Sequence, residues 1–372
     1  MSDKIPLAII GCGIIGESHI RGYVDNPLVE VAAICDIDEA RLDFIGDKYG
    51  ITRRFTHIGR LLLEKDIAAV DVCLHNNLHA PVSIAAMEAG KDVYCEKPMA
   101  GTYADALAME EARQRTGRRL HIQLGLLYND ETKAARRLIE AGRLGRLYHM
   151  RSYGYRRRGR PYVDGYATKE FVNMTTAGGG ALFDMGVYHI SQLLYLTGVP
   201  KLERVTGQTY AEIAMDEERR KISGFNVEEL GCGFAFYENG LTMDILESWA
   251  IHARPFPSSI LCGSLGGITL SPLTLHTREQ DMESDLAVDL KAMNYLDHTV
   301  YADAAFYDNS QQHWAHVLAG NCPQIETARI ALETQKVQEG IFMAAQLGRE
   351  VSAEEIAARS VSRALEIPNL AL

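Results

Sequence analysis

Three closely spaced glycines near the N-terminus could bind a dinucleotide. They lie in the segment Gly11-Cys12-Gly13-Ile14-Ile15-Gly16, which follows the apolar run Leu7–Ile10 and opens a helical pattern. In this setting the first glycine allows a tight turn, the second lets the backbone approach a pyrophosphate, and the third lets helix and strand pack closely. The free N–H groups of the helix N-terminus, those of Ile14 and Ile15 among them, would donate to the pyrophosphate.

Asp36 could select between the two nicotinamide dinucleotides. It directly follows the apolar segment Val29–Cys35. Its carboxylate would accept hydrogen bonds from the adenosine ribose hydroxyls and would repel a 2′-phosphate. Because no Arg or Lys immediately follows Asp36, the sequence favours NAD over NADP.

Lys97 could supply a positive charge to a reaction. It lies in Glu96-Lys97-Pro98, directly after the strand-like segment Val93–Cys95. Doubly wound parallel sheets bind their ligands at the carboxyl ends of the strands, so an ammonium there could hydrogen-bond a substrate hydroxyl and stabilise a developing alkoxide. Its charge would also lower the pKa of a neighbouring acid or base.

Candidates for an acid or base lie in residues 184–189. Asp184 and Tyr188 are four residues apart and would share one helical face, whereas His189 would point about 100° away. A phenol is a poor base at neutral pH because its pKa is about 10, but Lys97 could favour the phenolate. An imidazole needs no such tuning, so both rings are candidates. Asp184 would orient the substrate or the acid/base, or cap the helix that begins there.

Two different rhythms of apolar residues divide the chain. Up to about residue 125, short apolar runs alternate with helical patterns, which predicts a Rossmann-type, doubly wound parallel sheet. Beyond that point the strand-like segments are longer, and Asn239-Gly240 between two of them is a strong hairpin signal. We therefore predict an α/β protein whose second region is an α+β domain with a large, mainly antiparallel open sheet.

The predicted domains follow from this division. Residues 1–125 would form the NAD-binding domain, residues 126–322 the α+β domain for substrate and oligomerisation, and residues 323–372 a set of C-terminal helices. The first of these helices would pack back on the Rossmann domain. At finer scale the pattern predicts a helix over Ala80–Ala89, a strand over His121–Gly125 and a loop-rich stretch over residues 151–180.

Composition excludes several classes of partner. The chain has 372 residues and a net charge of -11, which argues against nucleic acid or an anionic membrane as the main partner. No apolar stretch reaches the ~20 residues that span a bilayer, and residues 1–20 do not have the pattern of a targeting peptide. The seven cysteines include no Cys-x-x-Cys pair, so we predict no metal site and expect a reducing, cytoplasmic compartment.

Three further segments carry a family resemblance. In Leu74–His79, Asn76 and His79 fit a Thr-Pro-Asn-x-x-His pattern, while Leu74 and His75 depart from it. The second segment is Glu96-Lys97-Pro98, and the third, Gly178–Gly186, reads Gly-Gly-Gly-x-Leu-x-Asp-x-Gly. In this order the segments resemble the signatures of the glucose–fructose oxidoreductase, inositol dehydrogenase and MocA (Gfo/Idh/MocA) family of oxidoreductases.

The resemblance implies an NAD-dependent oxidoreductase. Such an enzyme transfers a hydride between the nicotinamide and a secondary alcohol or ketone of a sugar, sugar derivative or polyol. The resemblance places Asn76 and His79 beside the nicotinamide half of NAD, and it places Glu96 and Lys97 at the cofactor as well. Family members carry either His or Tyr at the position of Tyr188, and this chain resembles the second group, which favours Tyr188 over His189 as the acid/base.

The resemblance also implies where the substrate would bind. The stretch that carries Arg156-Arg157-Arg158-Gly159-Arg160 lies where the family shapes its substrate pocket, so these arginines could bind a carboxylate, phosphate or sulfonate. They could equally stay solvated or lie at a subunit contact. Tyr128 could stack on the sugar or the cofactor, and Asp184 and the rings after it complete the candidate substrate site.

Two other activities fit the same motifs. Some family members oxidise a sugar transiently, eliminate a group and reduce the sugar again with the same NAD, and so act as redox-neutral glycosidases or lyases. A non-catalytic NAD-binding sensor would keep the glycine motif, but the intact Glu96-Lys97-Pro98 and Asp184–Tyr188 elements argue against it. Because the family's antiparallel sheet forms a subunit interface, the resemblance also implies a homodimer or homotetramer.

Overall fold

The chain folds into two compact units. The computed structural model describes residues 4–254, 258–367 and 370. The first unit comprises residues 1–123, 305–332 and 362–372, and the second comprises residues 124–304 and 333–361. No helix in the described part of the chain is long and apolar enough to cross a lipid bilayer.

The first unit is built on a six-stranded parallel sheet. Its strands are β1 (Ile5–Ile10), β2 (Val29–Cys35), β3 (Arg53–Phe55), β4 (Ala69–Val72), β5 (Asp92–Cys95) and β6 (Leu120–Ile122). They lie in the order β3-β2-β1-β4-β5-β6, and every neighbouring pair runs parallel. This order is that of a Rossmann fold, which confirms the predicted doubly wound sheet.

Five helices connect these strands. They are α1 (Ile14–Val24), α2 (Glu39–Tyr49), α3 (Ile58–Leu62), α4 (Asn76–Glu88) and α5 (Tyr103–Thr116). Local sequence sets their ends: the Asp38 side chain caps α2 and the Thr102 side chain caps α5, while Gly50 and Gly117 end these helices in the left-handed conformation. Helix α4 starts four residues before the predicted Ala80, so Asn76 lies in its first turn.

The second unit contains a nine-stranded sheet. Its strands are β7 (Leu147–Tyr155), β8 (Leu202–Tyr210), β9 (Leu230–Tyr237), β10 (Thr242–Ser248), β11 (Ile260–Gly263), β12 (Gly266–Leu270), β13 (Leu273–Glu279), β14 (Met282–Ala287) and β15 (Val351–Ser352). The order is β14-β13-β12-β11-β7-β10-β9-β8-β15. Only β7 and β10 pair in parallel among the described strands of this sheet, so the predicted mainly antiparallel sheet is confirmed.

The remaining helices follow the chain through both units. They are α6 (Asp130–Glu140), α7 (Met174–Ala177), α8 (Ala181–Asp184), α9 (Gly186–Leu196), α10 (Glu217–Ser223), α11 (Leu290–Val300), α12 (Ser310–Leu318), α13 (Thr327–Leu347) and α14 (Ala353–Arg359). Helix α12 belongs to the first unit, whereas α13 begins in the first unit and continues into the second.

Several local predictions need correction. The predicted strand over His121–Gly125 ends at Ile122, and residues Gly125–Tyr128 form a short 3-10 helix instead. The loop expected over residues 151–180 begins only after Tyr155, because β7 alternates buried and half-exposed residues as a strand with one covered face does. The Asn239-Gly240 turn is as predicted, since both residues take positive φ between the antiparallel β9 and β10.

Contacts also redraw the predicted domain boundaries. Residues 305–322 were assigned to the α+β domain, yet they cluster with the first unit. Trp314 of α12 is 1% exposed and packs in the same core cluster as Leu7, Ile9 and Tyr94 of the parallel sheet. A buried tryptophan of this size contributes several kcal/mol, which explains why α12 belongs with this sheet.

Candidate active site

The glycine loop has the shape that its sequence predicts. Gly11 takes a φ of 95°, and a Cβ at this position would lie 2.3 Å from the carbonyl oxygen of Cys73. A Cβ on Gly16 would lie 1.8 Å from the carbonyl oxygen of Gly11. A Cβ on Gly13, in contrast, would meet no described atom within 4 Å. The outer two glycines therefore allow the loop itself to pack, and Gly13 borders open space.

The N-terminus of α1 fits a pyrophosphate. Gly13 is its N-cap residue, and no side chain of the described residues caps the helix there. Ile14 and Ile15 in the first turn are 68% and 41% exposed. Their backbone N–H groups and the positive end of the helix dipole can therefore bind an anion.

Asp36 lies beside this loop. One carboxylate oxygen accepts the N–H of Cys12 at 2.7 Å, and the other accepts the N–H of Asp38 at 3.0 Å. The guanidinium of Arg41 also reaches the loop, where it donates to the carbonyl oxygen of Cys12 at 2.6 Å and to Glu17 at 2.6 Å. The half-buried Asp36 carboxylate is thus held at the end of β2, where a ribose could contact it.

Asn76 and His79 differ in their exposure. Asn76 is half-buried at the start of α4. The His79 ring is 0% exposed, and its two nitrogens lie 2.8 Å from the carbonyl oxygen of Pro98 and 3.1 Å from that of Leu74. Contrary to the expected cofactor contact, the His79 side chain joins the loops after β4 and β5, and burial lowers its pKa.

Glu96 and Lys97 follow β5. The Glu96 side chain faces inward, where one oxygen accepts the backbone N–H of Lys97 at 3.0 Å and the other lies 2.9 Å from Nε2 of His19. The Lys97 side chain is half-buried. Of the two residues predicted at the cofactor, Glu96 therefore holds the backbone in place, and Lys97 can present an ammonium at the carboxyl end of a parallel strand.

Asp184 ends α8 and does not cap α9. The N-cap residue of α9 is Met185, and no described side chain caps that helix. The Asp184 carboxylate instead accepts the indole N–H of Trp249 at 2.9 Å, and Trp249 is 0% exposed. The capping alternative is therefore wrong, and a buried tryptophan orients this half-buried carboxylate.

Tyr188 and His189 are both half-buried on α9. The Nδ1 atom of His189 lies 3.0 Å from one oxygen of Glu247 and 3.1 Å from the other. Glu247, which is 0% exposed, also accepts the hydroxyl of Ser152 at 2.8 Å. The His189 Nε2 atom has no hydrogen-bond partner among the described residues, so a carboxylate holds one ring nitrogen and leaves the other available.

Burial and charge oppose each other at His189. Burial lowers the pKa of the imidazole, but the Glu247 carboxylate outweighs burial and raises that pKa above its ordinary value. Space around the pair is also restricted: a Cβ on Gly154 would lie 2.2 Å from a Glu247 oxygen and 2.4 Å from Cε1 of His189. Sequence reasoning did not find Glu247, although it is a carboxylate on the buried face of β10.

The glycine run before α8 is held by a second buried carboxylate. Glu228 accepts the N–H of Gly180 at 2.8 Å and the N–H of Leu182 at 2.9 Å. A Cβ on Gly180 would lie 1.9 Å from the carbonyl oxygen of Glu228. Burial raises the pKa of Glu228 to about 7, although these two N–H groups favour its ionised form. The lack of a side chain at Gly180 thus lets the chain pass close to Glu228 just before α8, the helix that ends at Asp184.

The arginine loop is mostly occupied with internal contacts. Arg160 is 1% exposed and pairs with Asp164 and Glu229, both at 2.9 Å. Arg158 pairs with Asp164, and the Arg156 guanidinium lies over the Tyr166 ring. Only Arg157 of this run is exposed with no ion pair to a described residue, so the predicted anion site keeps one unpaired cation.

Tyr128 offers little surface to a ligand. Its side chain is 3% exposed in the 3-10 helix Gly125–Tyr128 of the second unit. The stacking contact predicted for it would need a larger exposed ring face.

Family models cover most of the chain. Residues 5–124 match the model of an oxidoreductase family with an NAD-binding Rossmann fold. Residues 132–269 match the GFO/IDH/MocA C-terminal domain. The two matched regions fall in the first and second units, respectively.

Individual relatives agree with these models. Over 286 residues the chain is 27% identical to D-glucoside 3-dehydrogenase of Escherichia coli, a match that covers 74% of this chain and 80% of that protein. Over 151 residues it is 36% identical to inositol 2-dehydrogenase of Salmonella typhimurium, and this match covers 39% of this chain and 45% of that protein. The fold matches that of the WlbA dehydrogenase from Bordetella pertussis, solved with NADH and UDP-GlcNAcA, at a TM-score of 0.77 and 21% identity over 95% of this chain and 98% of that chain. The chain therefore belongs to the GFO/IDH/MocA family of oxidoreductases, and its first unit is an NAD-binding Rossmann domain.

Proposed function

We propose that this protein oxidises a secondary alcohol of a sugar, sugar derivative or polyol with NAD. The observation that carries the proposal is the His189–Glu247 pair, in which a buried carboxylate holds Nδ1 of a half-buried histidine and leaves Nε2 without a partner among the described residues. Alcohol oxidation needs a base for the hydroxyl proton, and a histidine oriented by a carboxylate is suited to that role. Relatives named D-glucoside 3-dehydrogenase and inositol 2-dehydrogenase support a carbohydrate or polyol substrate.

The cofactor would be held by the glycine loop and by Asp36. The N–H groups of Ile14 and Ile15 would donate to the pyrophosphate, and Asp36 would accept from the ribose hydroxyls. Asn76 at the start of α4 would lie on the nicotinamide side. When bound, NAD supplies the acceptor for the hydride that leaves the alcohol carbon.

His189 and Lys97 would handle the hydroxyl group. His189 would take the hydroxyl proton through Nε2 while Glu247 stabilises the resulting imidazolium. The Lys97 ammonium would stabilise the negative charge that develops on the alcohol oxygen. We favour His189 over Tyr188 because the buried Glu247 carboxylate holds Nδ1 of the histidine, and this reverses the preference drawn from the family pattern.

Asp184 would position the sugar. Trp249 holds its carboxylate from one side, and a carboxylate accepts hydrogen bonds from sugar hydroxyls readily. Arg157 would add affinity for an anionic group on the substrate, since it is the exposed arginine of its run without an ion pair to a described residue. A sugar acid or a nucleotide sugar would then bind more tightly than a neutral sugar.

Oligomerisation through the second sheet is also part of the proposal. The face of β7, β9 and β10 opposite to His189 is half-exposed and carries a network in which Arg151 and Tyr153 both bond Asp244. Phe234 and Phe236 lie on the same sheet with their rings 5.0 Å apart. A preformed polar network beside aromatic rings suits a subunit interface, so we expect light scattering to report a homodimer or homotetramer.

A cytoplasmic location completes the proposal. All seven cysteines are free thiols. Free, partly buried thiols persist in a reducing compartment, which supports a cytoplasmic location.

A screen for substrate-dependent NADH formation tests the function. The purified chain would be incubated with NAD and with sugars, sugar acids, nucleotide sugars and polyols, while NADH absorbance and product formation are recorded together. We expect NADH to accumulate with at least one substrate. Product without net NADH would indicate the redox-neutral glycosidase or lyase instead. NAD binding without any turnover would overturn the proposal in favour of a sensor.

A further inference from the structure

A histidine that the proposed reaction does not use lies buried in the first unit. His19 of α1 is 5% exposed. Its Nδ1 lies 3.0 Å and 2.9 Å from the two carboxylate oxygens of Asp71, and its Nε2 lies 2.9 Å from Oε1 of Glu96. One imidazole thus bridges an acid on β4 and an acid that follows β5.

This geometry determines how many protons the ring carries. A neutral imidazole has one N–H donor and one lone pair. In the neutral form one lone pair would face a carboxylate oxygen at hydrogen-bond distance in a site away from water, which is repulsive. With both acids ionised, each nitrogen carries a proton, and the ring is an imidazolium between two carboxylates.

The surrounding groups agree with this assignment. From β4 the ring faces Asp71 and the Cys73 thiol, whose sulfur lies 3.3 Å from Nδ1. From β5 it faces Glu96 and the edge of the Tyr94 ring, with the two ring centroids 5.7 Å apart. Burial lowers the pKa of His19, but Asp71 and Cys73 together outweigh burial and raise the pKa well above its ordinary value. Burial and Asp71 both raise the pKa of Cys73, so the thiol keeps its proton.

A metal ion is not needed to explain this cluster. One ligand atom each of His19, Asp71 and Cys73 lies within 4.8 Å of the others. Their separations of 2.9 to 3.3 Å are those of hydrogen bonds, and both nitrogens of the ring already lie at hydrogen-bond distance from carboxylates.

Glu96 connects His19 to the backbone of Lys97. Glu96 bonds His19 with one oxygen and accepts the backbone N–H of Lys97 at 3.0 Å with the other. Burial raises the pKa of Glu96, yet His19, together with Lys97, outweighs burial and lowers that pKa below its ordinary value. If His19 lost its charge, the half-buried Glu96 would lose its main counter-charge and would release its hold on the loop after β5.

We propose that His19, as an imidazolium clamped between Asp71 and Glu96, is a positioning residue that keeps Glu96 ionised and thereby fixes the backbone of Lys97. The functional part of this inference rests on the proposed role of Lys97 in alcohol oxidation. The structural part does not, because it concerns the protonation of His19 and the N–H of Lys97 alone.

Nitrogen NMR of the histidine side chains tests the charge without any assay of activity. The full chain would be titrated from about pH 6 to pH 9, where ordinary imidazoles, with a pKa of about 6.5, lose their proton. We expect the His19 ring to keep both N–H groups at the upper end, with its signals assigned by their absence in His19→Gln. If His19→Gln does not fold, Glu96→Gln assigns them by the shift of Nε2. A His19 ring that is neutral at pH 7 would overturn the proposal.

Hydrogen–deuterium exchange tests the link to Lys97. In His19→Gln we expect faster exchange of the Lys97 N–H, measured by mass spectrometry on the peptide that contains it. His121→Gln is the matched control, since His121 is likewise buried in the same unit but bonds the Ser310 hydroxyl. Equal exchange at Lys97 in the two variants would contradict the positioning role, whether or not a substrate has been found.

The pH profile of the enzyme tests the functional consequence. Loss of the imidazolium should raise the pKa of Glu96, so we expect protonation of Glu96 to add a second loss of rate to the acid limb of kcat/KM that His189 sets, which makes the limb steeper and shifts it to higher pH in His19→Gln. We also expect kcat to fall by about 10²-fold, as small misplacements of catalytic groups can cost, with the Kd for NAD nearly unchanged. In His121→Gln the limb should stay in place. A lowered rate with an unmoved limb would reduce His19 to a structural residue and contradict the proposal.

Discussion

Carboxylates hold the candidate site residues in place, one side chain at a time. Asp36 anchors the glycine loop, Glu96 accepts the backbone N–H of Lys97, and Glu247 accepts from Nδ1 of His189. Hydrogen bonds to a charged group are roughly twice as strong as neutral ones. The glycine loop, the Lys97 backbone and the His189 ring are therefore each held by a buried or half-buried acid.

Asp36 should control the choice of cofactor. In Asp36→Asn the side chain can still accept one backbone N–H, but the charge that would repel a 2′-phosphate is gone. We expect the Kd for NADP to fall relative to that for NAD by about tenfold, which corresponds to roughly 1.4 kcal/mol. Adding Glu17→Gln should increase the preference for NADP. In the wild type Glu17 pairs with Arg41 and Lys48 at 2.6 and 2.7 Å, and without this acid the two cations could attract the 2′-phosphate.

Fluorescence titration with both dinucleotides measures this selectivity. Glu30→Gln is the control, since Glu30 is an exposed acid on the same strand β2. An unchanged NADP to NAD ratio in Asp36→Asn would remove the ribose role from Asp36.

Glu247 should set the pH dependence of oxidation through His189. A base must be unprotonated to act, so the rate rises with pH through the pKa of His189, which Glu247 holds above its ordinary value. In Glu247→Gln burial alone remains, and it lowers that pKa. We expect the acid limb of kcat/KM to move to lower pH, while kcat falls by about 10²-fold or more because the ring loses its orientation.

Profiles of kcat/KM against pH for the wild type, Glu247→Gln and Glu203→Gln test whether Glu247 sets the acid limb. Glu203→Gln provides the comparison, because Glu203 is an exposed acid on β8 of the same sheet. If Glu247→Gln kept the wild-type limb, the base would be another group, with Tyr188 the first alternative.

The site residues that the sequence predicts belong to short local patterns, whereas the partners of the residues that it misses lie far along the chain. The glycines, Asp36 and Lys97 belong to short local patterns. His19 and Glu247 act through partners on strands distant in sequence, which no local pattern reports. A signal for Glu247 was nevertheless present, since Met243, Ile245 and Glu247 occupy the buried face of β10 in alternation, and a buried charge needs a partner.

At the scale of elements, local sequence predicts best where caps and turns are strong. Helices α2 and α5 begin at side-chain caps and end at glycines, and the Asn239-Gly240 turn fixes the register of β9 and β10. The helical face expected for Asp184 and Tyr188 was wrong in detail, since the chain breaks between α8 and α9 at Met185. Contacts with Glu228 and Trp249 decide the path there, and these lie far along the chain.

Glu228, which lies just before β9 and bonds the glycine run, should make the free energy of unfolding depend on pH. The pKa of Glu228 is about 7 in the folded chain, against about 4.3 for a glutamate in an unfolded chain. Folding therefore takes up a proton between these values, and the free energy of unfolding falls as pH rises through them. We expect Glu228→Gln to lose this dependence.

Urea unfolding from about pH 5 to about pH 8 measures the slope. The exposed Glu218→Gln on α10 serves as the control and should keep the wild-type slope. Should the wild type instead show the same slope as Glu228→Gln, Glu228 would be ionised throughout this range and its two N–H bonds would dominate.

At the scale of the whole molecule, the sequence predicted both sheets but not the assignment of every segment. Alternating strands and helices predicted the parallel sheet, and the long segments after residue 125 predicted the antiparallel one. Residues 305–322 were assigned to the wrong unit because the pattern of an amphipathic helix such as α12 does not say which core it covers. Trp314 and its neighbours settle that by packing with the parallel sheet.

Transfer of deuterium from the substrate to NAD tests whether this protein oxidises an alcohol. Enzyme and NAD would be mixed in near-equal amounts with a substrate deuterated at its alcohol carbons, quenched at short times, and the NADH analysed by mass spectrometry. We predict NADH carrying one deuterium for wild type, formed about 10²-fold or more slowly in Lys97→Met and in His189→Asn, with the Kd for NAD retained. Bound NAD that acquires no deuterium from any carbohydrate, or transfer at the wild-type rate in both variants, would contradict the account.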